Sequence, residues 1–152
     1  MIALATALHA VAAVIWVGGM FFAYMALRPA IGPLEPPARL ALWKRAFDRF
    51  FLWVWLSIVL LLLTGYWIIF AELGGFANAG LHIHIMHGLG IVMMLLFFHL
   101  WFAPYRRLGK ALEANDTAMG ARQISQIRLL VGTNLMLGII VVVVAASGRY
   151  WM

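Results

Sequence analysis

Cysteine is absent from the 152 residues. Disulfides, thiolate-held metals, iron–sulfur clusters and a cysteine nucleophile are excluded together, which leaves histidine, methionine, carboxylate and backbone oxygen as metal ligands. Charge is scarce too: 11% of the residues carry one, against about 25% in an ordinary soluble domain. Acidic side chains are scarcest, with five Asp and Glu in the whole chain. No pair of carboxylates falls inside an apolar run, and there is neither a Ser/His/Asp arrangement nor a phosphate-cradling glycine loop. Hydrolysis, phosphoryl transfer and ATP-driven pumping therefore have no support.

What is abundant is apolar surface. Hydrophobic residues make up 66% of the chain and the mean hydropathy is +0.99, more than a body of this size can hide from water. The bilayer is the expected solvent. Four stretches, roughly 3–27, 50–71, 81–103 and 129–148, reach the ~20 apolar residues that a hydrocarbon core requires. An unpaired backbone amide in lipid costs several kcal/mol, so helices are expected even through the β-branched tract Val141–Val144. The fold class is all-α, a transmembrane four-helix bundle in one domain over residues 1–152. The first stretch lacks the basic leader of a cleaved signal peptide and is expected to be retained.

The basic residues mark direction. Arg28, Arg39, Lys44, Arg45 and Arg49 follow the first stretch, Arg106, Arg107, Lys110, Arg122 and Arg128 follow the third, and Arg149 is alone on the other side. By the positive-inside rule both basic connections face the cytoplasm, and both termini face the periplasm of a bacterial inner membrane. This distribution makes the excess of cations a topology signal, not a nucleic-acid footprint. Trp43, Trp53, Trp55, Trp101 and Trp151 lie near the ends of the stretches, where interfacial anchors are expected. Leu40, Trp43 and Phe47, interleaved with Lys44 and Arg45, fit a short helix resting on the headgroups.

All five histidines, His9, His82, His84, His87 and His99, fall in or beside the apolar stretches, and ionisable groups there usually face a partner or a cavity. His9 lies 19 residues before Arg28 and His87 lies 19 before Arg106, so both are about 28 Å from the basic edge. On parallel helices they can share a level and hold a haem iron axially, with His84 one turn away as substitute. Gly88 and Gly90 would leave room for a macrocycle, or equally for close helix packing. Trp16, two turns from His9, would stack on the cofactor or fill the bundle. Copper is the competing chemistry: His82-x-His84-x-x-His87 with Met86 offers imidazoles and a thioether. A second layer of His99, Met20, Ser57 and Asn134 fits a second metal site, or more simply an interhelical hydrogen bond from His99 to Asn134 or Ser57.

Ala7-Leu8-His9 followed by Trp16-Val17-Gly18-Gly19-Met20-Phe21-Phe22 resembles the first span of CopD-like membrane proteins and of the related HemJ-type protoporphyrinogen oxidases. Thr64-Gly65-Tyr66-Trp67, Leu81-His82, and Arg128 with Asn134 extend the similarity along nearly the whole chain. The resemblance implies a four-helix membrane bundle tied either to copper resistance or uptake, or to haem b and porphyrinogen oxidation. His82-Ile83-His84 stands where the oxidase-type pattern has His-x-Lys, which counts against porphyrinogen oxidation. The expected function is one-electron transfer by haem b between a quinone pool or small oxidant and a periplasmic redox partner. The alternative is a copper-binding or copper-transporting protein, and a third is a structural subunit with packing histidines. Expected partners are the lipid bilayer and a second copy in a homo-oligomer, with no nucleic acid.

Overall fold

A computed structural model describes residues 1–151, the side chain of Arg149 excepted. Four helices are long and apolar enough to cross a membrane: α1 (Ile2–Ala30), α2 (Pro36–Glu72), α3 (Leu81–Glu113) and α4 (Thr117–Ser147). Among the described residues there is no strand. The chain is a multi-pass membrane protein built as an all-α four-helix bundle, as its composition demands.

The helices outrun the apolar stretches. At 1.5 Å per residue α2 is about 55 Å long, against a hydrocarbon core of about 30 Å. Pro36 and Pro37 start it, where a missing N–H costs nothing. Asn115 turns the chain with a positive φ of 53°, and the Asp116 side chain then caps α4 by accepting from the Met119 N–H at 2.9 Å. The basic residues expected in loops thus ride on helical extensions. The first three helices each contain a π turn, at Ala23–Leu27, Ile68–Glu72 and Trp101–Tyr105. In the last of these, Pro104 removes a backbone donor and forces the widened turn.

The short helix expected on the headgroups does not form. Residues 40–47 do not lie on the headgroups: they are the basic end of α2, and Leu40, Trp43 and Phe47 are buried within the bundle. An apolar stripe can face lipid or protein, and a neighbouring helix was in reach: a Cβ on Gly120 of α4 would sit 2.7 Å from Leu40. Tryptophan roles divide likewise. Trp53 and Trp151 are exposed, as anchors should be, whereas Trp43 is buried and Trp55 and Trp101 pack against other rings.

The bundle is two close pairs joined by a wide seam. α1 packs most extensively on α2, and α3 on α4. Glycine permits these approaches: a Cβ on Gly19 would collide with the Phe50 ring, and one on Gly138 would lie 2.8 Å from Val17 and 3.2 Å from Met93. α2 and the body of α3 stand further apart, and aromatic rings fill the space. Phe51 lies 5.5 Å from Phe97 and 5.0 Å from Tyr105 between centroids, while Trp55 lies 5.5 Å from Phe97 and 5.2 Å from Phe98. Trp16 of α1 reaches Phe97 from across the bundle at 6.3 Å. At the basic end Lys44 pairs with Asp48 at 2.5 Å, and Tyr105 donates to the same carboxylate, tying α2 to α3.

Phe51 is 1% exposed at the centre of this seam, whereas its neighbour Leu52 is 70% exposed. Phe51→Ala is therefore expected to destabilise the bundle by about 3 kcal/mol, and Leu52→Ala by less than about 0.5 kcal/mol. Reversible unfolding in mixed micelles measures both.

Candidate functional site: the histidines at the end opposite the basic one

The chemistry-bearing residues gather at the end opposite the basic one, where α2 finishes and α3 begins. His9 of α1 leans on α2. Its Nδ1 lies 2.9 Å from the Thr64 hydroxyl, and that hydroxyl lies 2.5 Å from the Leu60 carbonyl. The single Thr64 proton goes to the carbonyl, so the hydroxyl can only accept from His9, which fixes the Nδ1–H tautomer and leaves Nε2 with a free lone pair. Gly65 is needed beside it, since a Cβ there would press on the His9 ring at 3.2 Å.

His87 of α3 is also tied to α2, by a hydrogen bond of 3.0 Å between its Nε2 and the Tyr66 hydroxyl. Thr64 and Tyr66 are two residues apart, about 3 Å along the axis, so the two histidines do share a level. They do not share a face. Two residues turn a helix by about 200°, and Thr64 is buried while Tyr66 is 37% exposed. Among the described residues no hydrogen bond or ring contact joins His9 to His87. The geometry does not fit a haem iron held between them, because the rings are fastened to opposite sides of α2.

The segment 82–87 divides in the same way. His82 turns toward α4, so close to Gly148 that a Cβ there would overlap its ring. His84 and His87 turn instead to the connection between α2 and α3. Both meet the ring of Phe76, at centroid distances of 6.0 Å and 5.0 Å, and Phe76 and Tyr66 in turn pack on Phe70. At i and i+3 their Cβ atoms are neighbours about 5–6 Å apart. Met86 is about 100° round the helix from His87, off the His84–His87 face and on that of His82, four residues before it. No group of three or more His, Asp or Glu side chains is arranged to hold a metal among the described residues. What the fold does assemble is a pair of imidazoles, His84 exposed and His87 half-buried, under an aromatic roof.

The inner layer does not assemble. His99 is exposed and without a partner among the described residues, whereas Met20 and Ser57 are buried. Asn134 donates to the Met93 carbonyl at 3.1 Å, not to His99. Trp16 meets Phe97 and makes no ring contact with His9 among the described residues. Phe76 and Tyr66 are the members that sequence spacing did not single out: Tyr66 belongs to the quoted Thr64–Trp67 motif, but Phe76 opens a single 3-10 turn, Phe76–Asn78, too short to show a periodicity.

The family model described as copper resistance protein D matches residues 44–147, about two-thirds of the chain. The matched stretch contains Tyr66, Phe76, His84 and His87 but not His9. No curated protein and no solved structure matches the chain.

The Thr64–His9 bond has a direct signature. Nitrogen-15 resonances of the histidine rings are expected to show His9 as a single Nδ1–H tautomer; Thr64→Val should abolish that preference and cost about 1 kcal/mol of stability, and Thr64→Ser should keep both.

Proposed function

We propose, from the premise that this chain belongs to the copper resistance protein D family, that it captures copper at the outer face of the membrane on the imidazoles of His84 and His87. The observation that carries this is their shared face: both rings lie against Phe76, one turn apart on α3. Imidazole nitrogen suits copper, and a two-ligand set matches the low coordination number of the cuprous ion. Copper is here the cargo. Two ligands on one exposed ridge favour uptake and release over permanent burial. Binding by His87 through Nε2 requires the Tyr66 hydroxyl to swing aside, which makes Tyr66 a competitor for that nitrogen.

Passage of the ion through one bundle has no support, since the core below is filled by Trp16, Phe97 and Phe51 and no inner His–Met pair forms. The orientation that suits the role puts His84, His87 and both termini in the periplasm of a bacterial inner membrane. Its support is the position of ten of the eleven cationic residues at the other end.

Haem b electron transfer, with a quinone or periplasmic redox partner, rests on one observation: His9 presents a free Nε2 with Nδ1 fixed by Thr64, the usual orientation of a ligating histidine. It lacks a second axial ligand, because His87 is held on the opposite side of α2.

Titration of the detergent-purified full chain with silver(I), a redox-silent stand-in for cuprous copper, separates these roles. One equivalent is expected to bind the native chain and His99→Ala, and binding should be lost in His84→Ala/His87→Ala. Retention by the double variant contradicts the proposal, and a Soret band that shifts on dithionite would favour haem instead.

A further inference from the structure

At the basic end the bundle carries a second site with different chemistry. A cavity of about 370 Å³ opens between α1, α2 and α4, and three of its lining residues are Arg28, Arg39 and Arg128. None pairs with a carboxylate among the described residues. Arg28 lies over the Tyr24 ring at 5.3 Å, and Arg39 donates to the Gly32 carbonyl at 3.2 Å. Both guanidinium groups are steered by neutral partners, so their charge is uncompensated. The floor of the cavity, Leu40, Trp43 and Phe47, is apolar.

The cavity continues into a groove of about 870 Å³ along the outside of α1 and α4, and Tyr24, Arg28, Ser125 and Arg128 line both. Tyr24 is the partition. The π turn at Ala23–Leu27 carries it, and Gly132 receives its ring, since a Cβ there would lie 3.1 Å away. Beyond the partition the lining turns apolar: Met25 and Phe21 on α1, then Leu129, Met136 and Ile139 on α4. The helices are antiparallel, so both series run from the arginines toward the middle of the bilayer. Phe21 is about 10 Å and Ile139 about 16 Å along the axis from its arginine.

A cationic pocket at headgroup level joined to an apolar groove that descends into the hydrocarbon is complementary to one kind of molecule. We propose that this is a binding site for an anionic phospholipid, its phosphate among Arg28, Arg39 and Arg128 and an acyl chain along the α1–α4 groove. The head supplies the missing counter-charge, and the chain covers side chains that are more than half exposed at Phe21, Met25, Leu129 and Met136. The bound lipid fastens the basic end of α1, which contacts α4 less extensively than α3 does.

The test is native mass spectrometry of the full chain in detergent, titrated with phosphatidylglycerol, phosphatidylcholine or inorganic phosphate. Phosphatidylglycerol is expected to bind at least about tenfold more tightly than phosphatidylcholine. Each arginine removed should weaken it about fivefold, so Arg28→Gln/Arg128→Gln loses about 25-fold while Arg107→Gln, outside the cavity, changes nothing. Equal binding of the two lipids overturns the proposal. So does displacement of phosphatidylglycerol by equimolar inorganic phosphate, which marks a site for a free anion. Should the double variant fail to fold, the lipid comparison and the phosphate competition on the native chain decide alone.

Discussion

The ring-filled seam between α2 and α3 is the contact on which the arrangement depends. Glycine lets α1 close on α2 and lets α4 receive side chains of both α1 and α3, but nothing comparable draws α2 to α3. In lipid, where apolar surface gains nothing by leaving the solvent, helix association relies on packing and on hydrogen bonds. Phe51, Trp55, Phe97, Phe98 and Trp101 supply the packing with edge-to-face and stacked contacts. The Asn134–Met93 bond supplies a polar cross-link within the α3–α4 pair.

The same seam sets the chemistry of the histidine end. Followed along α2 it runs from Phe51 through Trp55 to Tyr66 and Phe70, and along α3 from Trp101 through Phe97 up to His87 and His84. Near the end opposite the basic one the rings on the α3 side become imidazoles, so a packing surface turns into a surface of nitrogen donors. Phe76, from the connection between the two helices, covers both. A pair of histidines, one exposed and one half-buried, is thereby held at the edge of the apolar contacts.

The number and kind of helices were legible because hydropathy and length report the solvent directly. Their ends were less so. The apolar stretch 50–71 follows the bilayer, whereas the helix follows Pro36–Pro37 at one end and Gly74–Gly75, with φ of 71° and 110°, after the other. Asn115–Asp116 similarly announces α4 twelve residues before its apolar stretch. Depth was legible and rotation was not. Counting from the basic edge puts His9 and His87 at one level, and their partners Thr64 and Tyr66 stand about 3 Å apart along α2. Which way each ring turns depends on the neighbour its helix packs against, and that is a long-range property. Within a single helix the 100° step does separate His82 from the His84–His87 face, and the contacts of those residues follow it. Leu40, Trp43 and Phe47 show the limit: their stripe is equally suited to headgroups and to a neighbouring helix.

The two ends of the molecule thus carry complementary chemistry, imidazole donors on one side and unpaired guanidinium groups on the other, separated by an aromatic core. X-ray absorption at the copper edge, on the cuprous-loaded chain in nanodiscs, reads the coordination of the ion itself. Capture by His84 and His87 gives a first shell of two imidazole nitrogens and no sulfur. A shell containing thioether sulfur, which would bring in Met86, or one without imidazole scattering, would contradict it.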